Sequence, residues 1–288
     1  MPNQLLVSRY EVRKQLGRNP GRQTLLVFDH QTQKLVVIKL LTFGDSFEWQ
    51  SLKLFEREAE VLKSLTHSAI PRYLDYFETE QGFALVQSHI DAMSLEEYIR
   101  IGRTFSETEV KQIAKALLEI LIYLHDRFPP IIHRDIKPSN ILLAEQAKDT
   151  DNKVYLIDFG SVQNAVNLPQ RTITIVGTYG YMPMEQFVHQ TVPASDLYSL
   201  GATLIYLMTG RHPAELPQDE GRIAFEQVIN LSSGLANWLR LMIEPSLKRR
   251  LNSAKVALDF LEEVHQKTQK FNVHHSKIKA CNLSRETL

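Results

Sequence analysis

The segment that most constrains this chain is residues 131–143, IIHRDIKPSNILL, followed after a short gap by LIDFGS. In both segments a short apolar run adjoins a loop, and the loops carry Asp135, Lys137, Asn140 and Asp158. Polar residues on loops next to short buried strands can converge on a ligand. Carboxylate and amide oxygens suit Mg²⁺, which shares phosphate oxygens, and a lysine neutralises a transferring phosphoryl group. The two segments therefore predict a site for a divalent metal and phosphate.

The hydrophobic pattern changes along the chain. Residues 9–41 alternate apolar runs with breaks containing Gly, Asn or Asp, which predicts antiparallel strands joined by tight turns. Residues 46–65 have apolar side chains at helical spacing, and residues 71–90 predict another hairpin. Long helical patterns follow, and a capping box of Ser106 and Glu109 introduces one of them. The predicted fold class is α+β.

This change of pattern predicts two lobes. A small antiparallel-sheet lobe with one main helix is expected over about residues 9–87, and a larger, mostly helical lobe over about residues 92–262. Residues 263–288 lose periodicity and are expected to form a short polar tail. The two histidines at 274–275 lie near Cys281, but zinc needs four fixed ligands, so tail residues are favoured over a metal site.

The composition excludes some partners. Thirty-three basic and thirty-three acidic side chains balance, so no net field attracts nucleic acid or an anionic membrane. The single cysteine excludes an internal disulfide framework and favours a reducing compartment. The first ten residues lack the apolar core of a signal peptide, and residues 199–210 are too short to span a membrane and predict a buried helix. We expect a cytoplasmic protein without direct membrane insertion.

The two loop segments resemble the catalytic loop and the metal-binding motif of eukaryotic-type serine/threonine protein kinases. The residues within these motifs favour the bacterial members of the family. The resemblance covers about residues 9–262, with its motifs in family order. VVIK resembles the strand that carries the phosphate-binding lysine, here Lys39, and FEREAEVL the helix whose glutamate pairs with it, here Glu58. The resemblance implies a bilobal kinase fold and an ATP-dependent phosphotransferase.

Three further residues match structural positions of the family. DLYSLG resembles the segment whose aspartate anchors the catalytic loop, here Asp196. GTYGYMPMEQ resembles the end of the activation segment, with Glu185 in the position of the structural glutamate and Arg250 as its expected partner. The usual Ala-Pro before this glutamate is replaced by Pro183 and Met184, and we expect the salt bridge to survive.

The resemblance also implies roles at the transfer site. Asp135 would accept or orient the proton of the attacking hydroxyl, and Lys137 would stabilise the γ-phosphoryl oxygens. Asn140 and Asp158 would hold Mg²⁺, with Mn²⁺ as an alternative. Lys39 would bind the α- and β-phosphates of ATP.

The adenine pocket is placed by the same alignment. Adenine is expected between Val37 and Leu142, with Gln87 at the back of the pocket and the backbone around His89 bonding the base edge. Gly17 and Thr24 belong to the loop that would cover the phosphates.

The substrate class follows from two residues. Lys137 after the catalytic aspartate resembles the serine/threonine class, and the hydroxyl of Thr178 can bridge Asp135 and Lys137. The implied substrate is a protein with a Ser or Thr acceptor. Arg134 is the usual receiver of an activation-segment phosphate.

Regulation is expected through phosphorylation or a regulatory partner. Thr172 and Thr174 are candidate phosphosites for an autophosphorylation reaction, and a phosphate there would bond to arginine. The alternative, that both are solvated or extended-strand threonines, stays open with equal weight.

One loop departs from the family. In LGRNPGRQT, residues 16–24, Gly17 matches the first expected glycine, whereas Asn19 and Arg22 replace the other two. Glycines there let backbone N–H groups approach phosphate, and Pro20 removes one such donor. Arg22 either compensates with its guanidinium or blocks the pocket. A pseudokinase or nucleotide-binding scaffold is therefore the alternative function, and a small-molecule kinase is a third reading that the activation segment disfavours.

Overall fold

The computed structural model describes residues 5–6, 8–43, 49–145, 153–164 and 177–264. The candidate phosphosites Thr172 and Thr174, and the tail from residue 265, lie outside these residues. The chain divides into two compact units. The first comprises residues 1–97 and 138–163, and the second comprises residues 98–137 and 164–288.

The first unit is built on an antiparallel sheet. In the described residues its strand order is β1-β2-β3-β4-β6-β5, and a three-stranded sheet has the order β10-β9-β7. The strands of the larger sheet are β1 (Leu5–Leu6), β2 (Tyr10–Asn19), β3 (Arg22–Asp29), β4 (Lys34–Thr42), β5 (Tyr73–Thr79) and β6 (Gly82–Ser88). Those of the smaller sheet are β7 (Met93–Ser94), β9 (Ile141–Ala144) and β10 (Lys153–Leu156). Strand β4 is rich in β-branched residues (Val36, Val37, Ile38 and Thr42), which pack well on a pleated surface.

Helix α1 (Trp49–Ser64) covers one face of the larger sheet. Its Leu52, Phe55 and Ala59 pack with Leu41 and Leu85 of the sheet. These helix positions are three or four residues apart and so share one face of the helix. The other face of the sheet buries a second cluster, which includes Val12, Leu25, Val27, Ile38 and Val86. The sheet is therefore buried on both faces.

The segment at residues 16–24 is a hairpin. Strand β2 ends at Asn19 and β3 begins at Arg22, so only Pro20 and Gly21 form the turn. Gly21 has φ 68°, a left-handed conformation that glycine adopts without strain. Proline followed by a glycine of positive φ is the signature of a type II turn. The glycine-poor loop thus closes as a two-residue turn between paired strands.

The second unit is mainly helical. Its helices are α3 (Glu107–His125), α4 (Met184–Phe187), α5 (Pro193–Thr209), α6 (Ser233–Met242) and α7 (residues 254–264), and α2 (Leu95–Arg100) joins the two units in sequence. Short strands are β8 (Ile131–Ile132), β11 (Gln163–Asn164), β12 (Gln218–Asp219) and β13 (Arg222–Ile223). The two units carry the elements expected of the α+β fold class, which is therefore confirmed.

Two local predictions in the helical unit are confirmed. Ser106 accepts from the backbone N–H of Glu109 at 3.3 Å, and the Glu109 carboxylate accepts from the backbone N–H of Ser106 at 2.9 Å, which completes the capping box. The apolar segment at residues 199–210 lies mostly in α5, whose side chains are buried along most of its length. No helix within the described residues is long and apolar enough to cross a membrane.

Replacing Gly21 with alanine should destabilise the protein by about 1 kcal/mol, because a Cβ is unfavourable at positive φ. Gly17→Ala is the matched control, since the φ of Gly17 is not in the left-handed region and its added Cβ would lie 3.8 Å from the Thr24 Cβ, a normal contact. Urea unfolding of both variants measures the difference. Equal stability of the two would contradict the turn assignment.

Candidate active site

Three charged side chains meet in the first unit. Lys39 on β4 contacts the Glu58 carboxylate on α1, and its Nζ lies 2.7 Å from Asp158 Oδ1. Burial lowers the pKa of Lys39, but the charges of Asp158 and Glu58 outweigh it, so the net shift is upward. Burial raises the pKa of Glu58, whose residue is only 2% exposed. Lys39 is therefore a fixed cation, and the predicted pair with Glu58 is formed.

Asp158 has a strained backbone. Its φ is 66°, which is rare for a residue other than glycine and is typical of functional sites. Its carboxylate also accepts from the backbone N–H of Gly160 at 3.4 Å. A Cβ on Gly160 would lie only 2.9 Å from Glu58 Oε2, so glycine is what allows this segment to approach α1.

Asn140 is positioned by the neighbouring strands. It ends a short 3₁₀ turn, Pro138–Asn140, directly before β9, and its backbone carbonyl accepts from the N–H of Ile157 at 2.9 Å. Strands β9 and β10 are antiparallel partners, with Ile141 opposite Leu156. This pairing brings the residue before β9 and the segment after β10 to one end of the small sheet.

The donor set of Asn140 and Asp158 fits a divalent metal that is bound together with phosphate. The Asp158 side chain is 44% exposed, so its carboxylate is accessible. The described residues contain no group of three His, Cys, Asp or Glu side chains suited to hold an ion by themselves. Magnesium is usually held by one or two carboxylates, with waters and substrate phosphates completing the shell. The residues present suit that mode.

A second network lies in the helical unit, around Asp135. Thr178 Oγ1 donates to Asp135 Oδ1 at 2.7 Å, and Lys137 Nζ donates to Thr178 Oγ1 at 2.7 Å. Lys137 Nζ also lies 3.0 Å from Asp135 Oδ2. The Thr178 hydroxyl therefore bridges the acid and the base, as the sequence predicted. The three groups are held in a triangle of charge-assisted hydrogen bonds.

The loop before Asp135 is anchored by Asp196 on α5. Asp196 is fully buried and accepts from the backbone N–H groups of His133 and Arg134, both at 2.9 Å. The Nε2 of His125 donates to the same carboxylate at 2.9 Å. Burial raises the pKa of Asp196, but these donors outweigh it, and the net shift is downward. Arg134 is strained, with φ 65°, and the two bonds to its loop hold that conformation.

His125 is a residue that the sequence reasoning missed. It is the last residue of α3, seventy-one positions before its partner Asp196. The segment YLHDR did not identify this role, because a histidine at the C-terminal end of a helix is already explained by its favourable interaction with the helix dipole. His133, in the loop before Asp135, is fully buried.

Glu185 and Arg250 form the expected buried salt bridge. Arg250 Nη1 lies 2.6 Å from Glu185 Oε1, and Ser195 Oγ donates to the same oxygen at 2.8 Å. Arg250 also donates to the carbonyls of Glu244, Ala194 and Pro245. Met184, which stands where the family usually has proline, is 70% exposed, and the bridge beside it is formed.

The residues predicted to contact adenine and those of the predicted phosphate-covering loop lie on or beside the sheets of the first unit. Gly17 pairs with Thr24, and Thr24 pairs with Lys39 across β2, β3 and β4. Two positions from Lys39 along β4, Val37 pairs with Gln87, and both are buried. Leu142 lies on β9, and His89 follows the end of β6. The sheet therefore aligns the loop residues with Lys39, and Val37 with Gln87.

Comparison with known sequences agrees with this geometry. The sequence model of the protein kinase domain matches residues 10–278, nearly the whole chain. The chain belongs to the protein kinase family. Its resemblance to the bacterial serine/threonine members is also confirmed by the relatives that it matches. As a family member, it is expected to use ATP and a divalent metal.

Several of the matching relatives come from cyanobacteria, and three of them illustrate the similarity. Serine/threonine-protein kinase B of Synechocystis sp. is 39% identical over 73% of this chain and 38% of its own length. Serine/threonine-protein kinase D of Synechocystis sp. is 37% identical over 91% of this chain and 53% of its own length. Serine/threonine-protein kinase PknA of Nostoc sp. is 36% identical over 90% of this chain and 48% of its own length. The chain thus spans about half the length of these relatives or less.

The buried bridge should be essential for stability. Arg250→Met leaves the Glu185 carboxylate buried without its cation and should cost about 3–5 kcal/mol. The matched control is Arg240→Met, which removes an ion pair to Glu226 at the surface and should cost less than about 1 kcal/mol. Urea unfolding measures both. Similar losses in the two variants would contradict the structural role of the bridge.

Proposed function

We propose that this chain is a serine/threonine protein kinase that transfers the γ-phosphoryl group of ATP to a Ser or Thr hydroxyl of a protein. The observation that carries the proposal is the contact of Lys39 with both Glu58 and Asp158. It is supported by the network of Asp135, Lys137 and Thr178. Phosphoryl transfer depends mainly on such positioned charges.

The first unit provides the nucleotide side of the reaction. The Lys39 ammonium binds the α- and β-phosphates, and Glu58 orients it. Val37 and Leu142 contact the two faces of adenine, with Gln87 and His89 along its edge. Asn140 and Asp158 would hold Mg²⁺, which would supply positive charge that neutralises the phosphates. Mn²⁺ is an alternative with the same oxygen-rich ligands.

The second unit provides the acceptor side. The acceptor hydroxyl oxygen attacks the γ-phosphorus while the bond to the β-bridging oxygen breaks, and ADP leaves. Asp135 takes the hydroxyl proton, and Lys137 neutralises charge on the transferred group. Thr178 keeps both side chains in place through its hydroxyl. Arg134 is proposed to bind a phosphate on Thr172 or Thr174 after autophosphorylation.

The partner is proposed to be a protein substrate. A balanced net charge supports this over nucleic acid, because no net field draws the chain to polyanions. The pseudokinase alternative draws on the glycine-poor hairpin at residues 16–24. The presence of all the charged or polar side chains that the transfer reaction needs favours an active enzyme over that alternative. These side chains are Lys39, Glu58, Asp135, Lys137, Asn140 and Asp158.

Transfer is tested with labelled ATP, Mg²⁺ and a generic protein acceptor. Asp135→Asn should lower the rate at least about 100-fold because the proton acceptor is removed. Lys39→Ala should lower both the rate and ATP binding. Asp259→Asn, a surface carboxylate on α7, is the matched control and should leave the rate unchanged.

Wild-type protein that binds ATP but labels the protein acceptor no more than Asp135→Asn does would indicate a pseudokinase. Label on small hydroxyl compounds but not on protein would indicate a small-molecule kinase. Repeating the assay with Mn²⁺ in place of Mg²⁺ identifies the preferred metal.

A further inference from the structure

Arg22 lies on the same face of the sheet as Lys39. In the register of β3 and β4, Thr24 pairs with Lys39 and Arg22 pairs with Leu41. Paired residues of an antiparallel sheet share a face, and so do residues two positions apart on one strand. Leu41 packs against α1. Arg22 is therefore on the face that carries the predicted phosphate-binding lysine.

The guanidinium of Arg22 reaches α1 near the charged cluster. Its Nη2 donates to the backbone carbonyl of Ser51 at 3.3 Å, in the first turn of the helix. The positive charge of Arg22 is also one of the influences that lower the pKa of Glu58 against the larger effect of burial. The Arg22 guanidinium thus adds positive charge to the surroundings of Lys39 and Glu58.

Among the residues that the structure describes, few acceptors use the N–H donors of Arg22. An arginine has five N–H donors. Within the described part of the chain, the carbonyl of Ser51 is the acceptor that Arg22 contacts, and 3.3 Å is long for such a bond. A phosphate group can therefore bind this side chain without breaking a strong protein contact.

The hairpin itself is a poor phosphate cradle. Pro20 has no N–H, and the strands remain paired up to Asn19 and Arg22, so backbone donors are drawn into the ladder. The carbonyl of Gly21 accepts from the N–H of Thr42 at 2.9 Å, which fixes the tip. A cavity of about 370 Å³ opens beside the tip, lined by residues 18–23 and Thr42. It gives an anionic group room to approach Arg22.

We propose that Arg22 binds the phosphate groups of the nucleotide and replaces the backbone amides that a glycine-rich loop would supply. The fork of a guanidinium can bond two phosphate oxygens at once. The inference rests on the proposed function for the identity of the ligand, a nucleoside di- or triphosphate. It resolves the two readings of Arg22 in favour of binding over blocking.

The test is a series of binding measurements by calorimetry with adenosine, AMP, ADP and ATP. Arg22→Ala should weaken ATP and ADP binding about tenfold or more and leave adenosine binding unchanged, since charged hydrogen bonds to phosphate are lost. Arg22→Lys should bind ATP with intermediate affinity because it keeps the charge without the fork. Arg13→Ala is the matched control, because this hairpin arginine pairs with Glu11 instead.

Two results would overturn the proposal. Equal losses for adenosine and ATP would make Arg22 only a tether between the hairpin and α1. Unchanged ATP affinity in Arg22→Ala would remove it from the phosphate site.

The same experiment separates this inference from the proposed function. Wild-type protein that binds ATP through Arg22 but transfers no phosphate would support the inference and overturn the kinase activity. Wild-type protein that transfers phosphate while Arg22→Ala binds ATP normally would do the reverse. A wild-type protein that binds no ATP would overturn both.

Discussion

The buried carboxylate of Asp196 organises the loop that carries Asp135. It has no exposed surface, and its two oxygens accept from the backbone N–H groups of His133 and Arg134 and from the ring of His125. A buried charge is stable only when such donors surround it. These bonds hold Arg134 in a left-handed conformation that its own sequence disfavours. The position of Asp135, which follows Arg134, depends on this anchor.

The first unit uses a similar design with a cation at its centre. Lys39 comes from β4 and its two carboxylate partners come from α1 and the segment after β10, so three separate elements must fold before the cluster forms. Gly160 leaves the room that Glu58 needs. The hairpin that turns at Pro20 and Gly21 belongs to the same sheet, and Arg22 of β3 donates to Ser51 of α1. Fixed charges of this kind suit the proposed phosphoryl transfer, because that reaction depends mainly on positioning and on charge stabilisation.

The sequence predicted the local features and the motif residues well. Apolar runs between turn residues located β4, helical spacing located α1 and α3, and the capping box located the start of α3 at Ser106. Family motifs identified the pairs of Lys39 with Glu58 and of Glu185 with Arg250, both of which are formed.

Contacts between distant segments were harder to predict. The hydrogen bond of His125 to Asp196 joins residues seventy-one positions apart. Arg22 on β3 donates to the backbone carbonyl of Ser51 in the first turn of α1. Periodicity reports which face of an element is buried but not which polar group meets it. In residues 16–24 the sequence shows which expected glycines are missing, but it does not show that the strands stay paired up to Asn19 and Arg22 and leave a two-residue turn.

Amide hydrogen exchange at His133 and Arg134, measured by NMR without nucleotide, tests most directly whether Asp196 holds the catalytic loop in advance. The account predicts exchange nearly as slow as that of the buried strand residue Ala84, because opening these amides requires breaking bonds to a buried carboxylate. In Asp196→Asn the two amides should exchange faster while Ala84 stays protected. Rapid exchange at His133 and Arg134 in the wild-type protein would contradict the account.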